Sequence, residues 1–229
     1  MQKHNINIDA LNAIYKDINT YSPHPSLVKI IAVTKTCNYT AILSAKKNKI
    51  PCFGENQVQE FLLKKTEQHD LNQGIESHLI GHLQSNKVNK AVGLFDVLQT
   101  VDSLKVAQKI NKTAHKRGMI QPIFIQINIG QDPNKHGFLL NTLFHNIELI
   151  QNLTHIHLLG LMTILPFYQK AQETQPLFYK MKKIQNKVLN EISPTCKFLS
   201  MGMSQDYIYA LKEGATHLRI GTKLYGPRN

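Results

Sequence analysis

Short apolar runs recur along this chain with helix-like segments between them. That alternation is what a parallel βα array requires, because each buried strand needs a crossover and a helix is the crossover that covers its face. The fifth run shows it best: between 122 and 129, Ile123, Ile125, Ile127 and Ile129 alternate with Phe124, Gln126 and Asn128. The remaining runs predict strands over 27–34, a short segment reaching Phe53, 77–80, 94–99, 155–162, 197–199 and 216–220. Helices are expected from Asn56, around 83–91, after Asp102 as N-cap, over 139–151 and 170–190, and up to Lys212, with Gly214 as the residue that ends the last one. Ahead of the first strand, Ile8, Leu11, Ile14, Tyr15 and Ile18 share one helix face until Pro23 and Pro25 end it. Eight strands with helices in most gaps predict an α/β fold, a (β/α)8 barrel with an extra N-terminal helix. No Gly/Ser-rich linker divides the chain, so residues 1–229 read as one domain.

Composition narrows the function classes. No run of about 18 apolar residues is present that could span a bilayer, and the opening Met-Gln-Lys-His-Asn-Ile-Asn-Ile lacks the apolar core of a secretory signal, so a cytoplasmic location is expected. Cys37, Cys52 and Cys196 are too few and too scattered for a disulfide framework or a CxxC metal site. His78 and His82, and His155 and His157, are closely spaced, but neither pair has the acidic neighbour a zincin arrangement needs, and no metal is expected. The net charge of +12 is spread over short lysine clusters such as Lys46-Lys47-Lys49 and Lys180-Lys182-Lys183-Lys187. Without an aromatic-interleaved basic stripe this argues against nucleic acid as the partner, and it remains compatible with a small anionic ligand.

Lys35 is the residue with the sharpest chemistry. The apolar run from Val28 to Thr34 delivers it to a strand end, and the polar Thr36-Cys37-Asn38 follows at once. An amine at the mouth of a buried strand is poorly solvated, which favours its neutral, nucleophilic form and suits it to Schiff-base formation. Asn56, His82, Asn128, Ser200, Ser204, Arg219 and Thr222 also fall at or after strand ends, and in a barrel those positions converge on the C-terminal face. The segments Ser200-Met201-Gly202-Met203-Ser204 and Leu218-Arg219-Ile220-Gly221-Thr222 follow the last two strands, where barrels commonly build a phosphate cup; Ser204 is expected to open a helix there. A Schiff-base lysine facing a phosphate cup is the arrangement pyridoxal 5′-phosphate needs, with Arg219 between them near the ring nitrogen.

Several segments together resemble one family. Ala32-Val33-Thr34-Lys35-Thr36, Phe53-Gly54-Glu55-Asn56-Gln57-Val58-Gln59-Glu60, Leu79-Ile80-Gly81-His82-Leu83-Gln84-Ser85-Asn86-Lys87, Gly160-Leu161-Met162, Leu199-Ser200-Met201-Gly202-Met203-Ser204-Gln205-Asp206 and Arg219-Ile220-Gly221-Thr222 are similar to the pyridoxal phosphate homeostasis proteins, in order and over nearly the whole chain. Ser77, Leu79 and the loop Asp132-Pro133-Asn134-Lys135-His136-Gly137 depart from the pattern. The resemblance implies a barrel of the alanine racemase N-terminal domain type that carries pyridoxal 5′-phosphate as a Schiff base on Lys35 and serves intracellular vitamin B6 homeostasis. It implies further that Ser204, Gly221 and Thr222 hold the phosphate, that Arg219 faces the pyridine nitrogen, and that Asn56, Ser200 and Met201 line the ring pocket. The partners it implies are the cofactor and apoenzymes that accept it, with no membrane and no nucleic acid, and the chain is expected to be a monomer. The alternative is a racemase-like enzyme using the same cofactor. Against turnover stands the expectation that the chain, ending at Asn229 after the eighth strand, carries no second domain to supply an opposing base, while Tyr225 lies close to the phosphate loop.

Overall fold

The predicted alternation closes on itself. In a computed structural model, which describes residues 4–166 and 170–227, eight strands form a closed barrel in chain order. They are β1 (Lys29–Val33), β2 (Cys52–Glu55), β3 (Glu76–Leu79), β4 (Val97–Val101), β5 (Gln121–Gln126), β6 (Ile156–Met162), β7 (Phe198–Met203) and β8 (His217–Ile220). Every neighbouring pair is parallel, and β1 closes the ring by pairing with β8 through Ile30 and Leu218. The helices of the described residues are α1 (Ile8–Tyr21), α2 (Thr40–Lys47), α3 (Val58–Glu67), α4 (Val88–Ala91), α5 (Leu104–Lys116), α6 (Leu143–Gln151), α7 (Gln175–Glu191), α8 (Tyr207–Lys212) and α9 (Thr222–Tyr225). Among the described residues no helix is long and apolar enough to cross a membrane.

Period-two alternation sorts each strand between two compartments. In β8, Leu218 and Ile220 join the large apolar layer under the helices, while His217 and Arg219 point inside the barrel, His217 against Phe124 and His78. In β7 the same rule sends Leu199 and Met201 outward and Ser200 inward. The extra helix α1 buries Leu11, Ile14 and Ile18 and is tied to α8 by a hydrogen bond from the Tyr207 hydroxyl to Asp17.

Several boundaries differ from the sequence reading, each for a local reason. Asp102 is not the N-cap of α5: Ser103 is, accepting from the Val106 N–H. α3 begins at Val58 rather than Asn56, leaving Asn56 in the strand-to-helix loop. The segment expected as a helix over 83–91 is a single 3-10 turn, Ser85–Lys87, followed by the one-turn α4. The fourth strand is shifted from 94–99 to Val97–Val101 because Val92 and Phe95 bridge to each other first. α2 went unassigned in the sequence because its buried face is built from Ala41, Ile42, Ser44 and Ala45, too small and too polar to print a helical period. β7 runs on to Met203, and a register shift against β8 lies between Ser200 and Met203. Ser204 therefore sits in the turn after β7, and α8 begins only at Tyr207.

Candidate functional site

The strands end at a cavity of about 680 Å³, within the usual range for a small-molecule pocket. Lys35, Asn56, Ser204, Arg219, Gly221 and Thr222 all line it, so six of the eight residues that the resemblance assigns to the cofactor site converge there. The apolar part of the wall comes from Val33, Ile80, Ile164, Leu165 and Pro166.

Lys35 reaches the cavity because β1 alternates: Ile30 and Ala32 face the helices, and Val33 and Lys35 face the mouth. The turn that carries it is unusual. Thr36 has φ +62°, a left-handed conformation that a β-branched residue rarely adopts. Behind the turn, between β1, β2 and α3, lies a buried ionic cluster. Lys64 Nζ donates to the Thr34 carbonyl at 2.9 Å, to Glu55 Oε1 at 2.6 Å and to Glu60 Oε1 at 2.8 Å, and Thr34 Oγ1 donates to Glu55 Oε1 at 2.6 Å. The Thr36 N–H donates to Glu60 Oε1 at 2.6 Å. Glu55 Oε2 is buried with no partner, and burial pushes this carboxyl up to about 7 despite Lys64 and Thr34.

Asn56 is placed by the close approach of two loops. A Cβ on Gly81 would stand 2.2 Å from the Asn56 carbonyl oxygen, so only glycine lets the β3 loop pass here, and the Thr100 hydroxyl fixes it by donating to the Gly81 carbonyl at 2.7 Å.

Across the cavity, Ser204 Oγ accepts from the Gly221 and Lys223 N–H groups, both at 3.4 Å, which draws the loops after β7 and β8 together. Gly202 makes that turn feasible. Its φ is +89°, and an added Cβ would lie 2.6 Å from the Ala210 Cβ. Asp206 Oδ1 accepts from the Met203 N–H at 2.6 Å and completes the turn. Hydroxyls at Ser204 and Thr222 beside backbone N–H groups are a donor set suited to an anion.

Arg219 lies inside the barrel between these two sides and is 4% exposed. Nη1 donates to Ser200 Oγ at 2.7 Å and Nη2 to the Thr163 carbonyl at 2.6 Å. Burial lowers its affinity for the proton, to about 10, with the Asp206 carboxylate opposing the shift, so the guanidinium stays charged at neutral pH.

The family-model comparison matches residues 6–229 to the alanine racemase N-terminal domain. Curated relatives called pyridoxal phosphate homeostasis protein include those of Haemophilus influenzae, 37% identical over 96% of this chain and 94% of the relative, and of Aquifex aeolicus, 35% identical over 87% of each. The chain belongs to the pyridoxal phosphate homeostasis protein family. Among solved structures, the family member PipY from Synechococcus elongatus PCC7942 without PLP superposes with TM-score 0.86 at 35% identity, covering 95% of this chain and 99% of that one. PipY with PLP bound superposes with TM-score 0.81 at 34% identity, covering 93% and 100%. The alanine racemase of Clostridium difficile 630, at 18% identity and TM-score 0.72, shares the barrel fold over 98% of this chain and 58% of its own.

Two residues expected from the family pattern to line the pocket are not on its wall. Met201 is fully buried in the outer apolar layer, since it alternates away from Ser200, and Met203 lines the cavity in its place. Ser200 lies beneath the wall, where it holds Arg219. His82, expected at a strand end on this face but given no role, lines the cavity too, as do Lys135 and Asp206, which the sequence did not single out. Lys135 rides on a loop anchored by Asn128, whose Nδ2 donates to the Asp132 and Lys135 carbonyls. His82 Nδ1 is 2.9 Å from Asp102 Oδ2, and its ring stacks on His136 at 3.7 Å. Lys135 and Asp206 share with His82 the signal of position after a strand, here β5 and β7.

Proposed function

We propose that this cavity holds pyridoxal 5′-phosphate covalently on Lys35 and that the protein carries or buffers the cofactor in vitamin B6 homeostasis, without turning over amino acids. One observation carries the reading: a strand-end lysine, a charged buried arginine and a hydroxyl-rich anion cup line one cavity of cofactor size. The donor set fits the cofactor's three handles. A primary amine suits an aldehyde, the guanidinium suits a pyridine nitrogen that accepts, and Ser204, Thr222 and the Gly221 N–H suit a phosphate. When bound, the cofactor supplies an aldehyde that condenses with an amine with loss of water. The PLP-bound PipY structure supports the assignment by kinship.

In this reading Val33 and Ile80 keep water from the base of Lys35, and Arg219, clamped by Ser200 and the Thr163 carbonyl, orients the ring without yielding a proton to it. Exchange then consists of releasing the cofactor to apoenzymes that accept it. The test is borohydride reduction of purified protein loaded with pyridoxal 5′-phosphate, followed by peptide mass spectrometry. Fixation on Lys35, abolished in Lys35→Ala, is the expected result. Fixation on Lys87 or Lys135 in the wild type would overturn the assignment.

A further inference from the structure

We propose that Lys64, seated between Glu55 and Glu60, is the positioning residue for Lys35: it is the strut that holds the Thr34–Thr36 turn in the one conformation that aims Lys35 into the cavity. The inference rests on the reading of Lys35 given above. Its evidence is a set of contacts on both sides of that residue. Before Lys35, the Thr34 carbonyl receives the Lys64 ammonium and the Thr34 hydroxyl donates to Glu55. After it, the Thr36 N–H donates to Glu60, and Glu60 is itself held by Lys64. Thr36 sits at φ +62°, a backbone state that persists only when its surroundings over-determine it, and Glu60 supplies the acceptor that does so.

A second observation separates this cluster from an ordinary surface ion pair. Lys64 is 6% exposed in its side chain and faces two carboxylates, of which Glu55 is fully buried with one oxygen unpartnered. A buried pair of this kind is a poor source of stability compared with apolar packing, and its best use is to specify one geometry. Here the geometry specified is that of the residue between its two anchor points. Nothing in the cluster lines the cavity, so Lys64 acts through the turn and not on the ligand.

The experiment uses the full chain with pyridoxal 5′-phosphate as probe. Formation of the Lys35 adduct is followed by absorbance over a range of cofactor concentrations, for wild type, Lys64→Met and Glu60→Ala. The strut predicts a fall in the limiting first-order rate of about ten-fold in Lys64→Met, with little change in half-saturation, since the phosphate cup is untouched. Ser204→Ala should do the reverse. A loss of stability alone would not move the limiting rate well below the melting temperature. Equal limiting rates in wild type and folded Lys64→Met would overturn the proposal. Should Lys64→Met not fold, Glu60→Ala removes both the acceptor of the Thr36 N–H and one partner of Lys64, and a wild-type rate in that variant would overturn it equally. Amide hydrogen exchange at Thr36 in cofactor-free protein tests the strut independently: exchange about ten-fold faster in a folded variant supports it, and unchanged protection sinks it. If the wild type forms no Lys35 adduct at all, the cofactor assignment fails, and the exchange measurement alone then decides the strut.

Discussion

Arg219 and Gln99 meet on a single atom, Ser200 Oγ, which accepts from Arg219 Nη1 at 2.7 Å and donates to Gln99 Oε1 at 2.6 Å. The polarity of the whole chain follows. Arginine can only donate, so the Ser200 hydroxyl must pass its proton onward to an acceptor, which fixes the Gln99 carbonyl toward Ser200. Gln99 Nε2 then donates to His78 Nδ1 at 2.8 Å, leaving the His78 proton on Nε2, which faces Glu76 Oε2 at 3.6 Å. This tautomer leaves Nε2 no lone pair for a metal, although Cys52, Glu76 and His78 bring three ligand-type atoms together.

Ser200→Ala should therefore destabilise the protein although it touches no ligand. It leaves one buried guanidinium N–H and one buried amide carbonyl without partners, and unsatisfied buried groups cost about 1–3 kcal/mol each. Urea unfolding should show a loss of about 2 kcal/mol or more. A change below about 0.5 kcal/mol would mean that Arg219 and Gln99 find each other directly.

Glu55 predicts a pH dependence of stability. Its folded value of about 7 lies above the ordinary 4.5, so the folded state binds the proton more tightly than the unfolded state. The contribution is fully present below about 4.5 and is lost as pH rises through about 7. Wild type should lose stability across that window, and Glu55→Gln should flatten this part of the curve. Parallel unfolding curves for the two proteins between those pH values would refute the assignment.

Gly202→Ala should fail at the turn below the anion cup. The added methyl meets Ala210 at 2.6 Å and the backbone sits at φ +89°, so strain and overpacking combine to about 1–3 kcal/mol. Thermal melting should fall by several degrees, and cofactor retention should fall with it, because the same turn carries Ser204.

The period-two alternation made the barrel legible in the sequence, and it also explains the misplacement of Met201. A motif quoted as a string carries no facing, and neighbours such as Ser200 and Met201 go to opposite sides of the strand. Lys35, Ser204, Gly221 and Thr222 were legible because loop residues after strands share one end of the barrel. The Glu55–Lys64–Glu60 cluster was not, since charged residues at that spacing on a short helix read as a solvated face, and only the packing of α3 on β2 buries them.

Ser204→Ala and Thr222→Ala should each weaken retention of pyridoxal 5′-phosphate with the fold intact. A hydrogen bond to a charged group contributes about 1.5–3 kcal/mol, which corresponds to a loosening on the order of ten-fold or more for each. Dialysis against cofactor-free buffer with absorbance readout measures it. The covalent link proposed for Lys35 would mask part of the effect, so pyridoxamine 5′-phosphate, which has no aldehyde, is the cleaner ligand. Unchanged retention in the double variant would place the phosphate elsewhere.

The last expectation concerns chemistry. Racemisation needs a proton donor on one face of the substrate α-carbon and an acceptor on the other, both close to it. Lys35 could serve one face. Among the described residues lining the cavity, the other titratable side chains are His82, Lys135, Asp206 and Arg219, and three of them have competing engagements. Asp206 is tied to the Met203 N–H, His82 is paired with Asp102, and Arg219 stays protonated on Ser200 and Thr163. Lys135 stands on the loop between β5 and α6, next in sequence to His136, whose ring stacks on His82. In the proposed placement, a guanidinium that keeps its proton would also leave the pyridine nitrogen unprotonated, which would weaken the ring as an electron sink. Cofactor-loaded protein incubated for days with L-alanine or L-serine should give no more D-isomer by chiral chromatography than free pyridoxal 5′-phosphate at the same concentration. D-isomer well above that background, absent in Lys35→Ala, would overturn the carrier reading, and Lys135→Ala would then be the variant that identifies the second base.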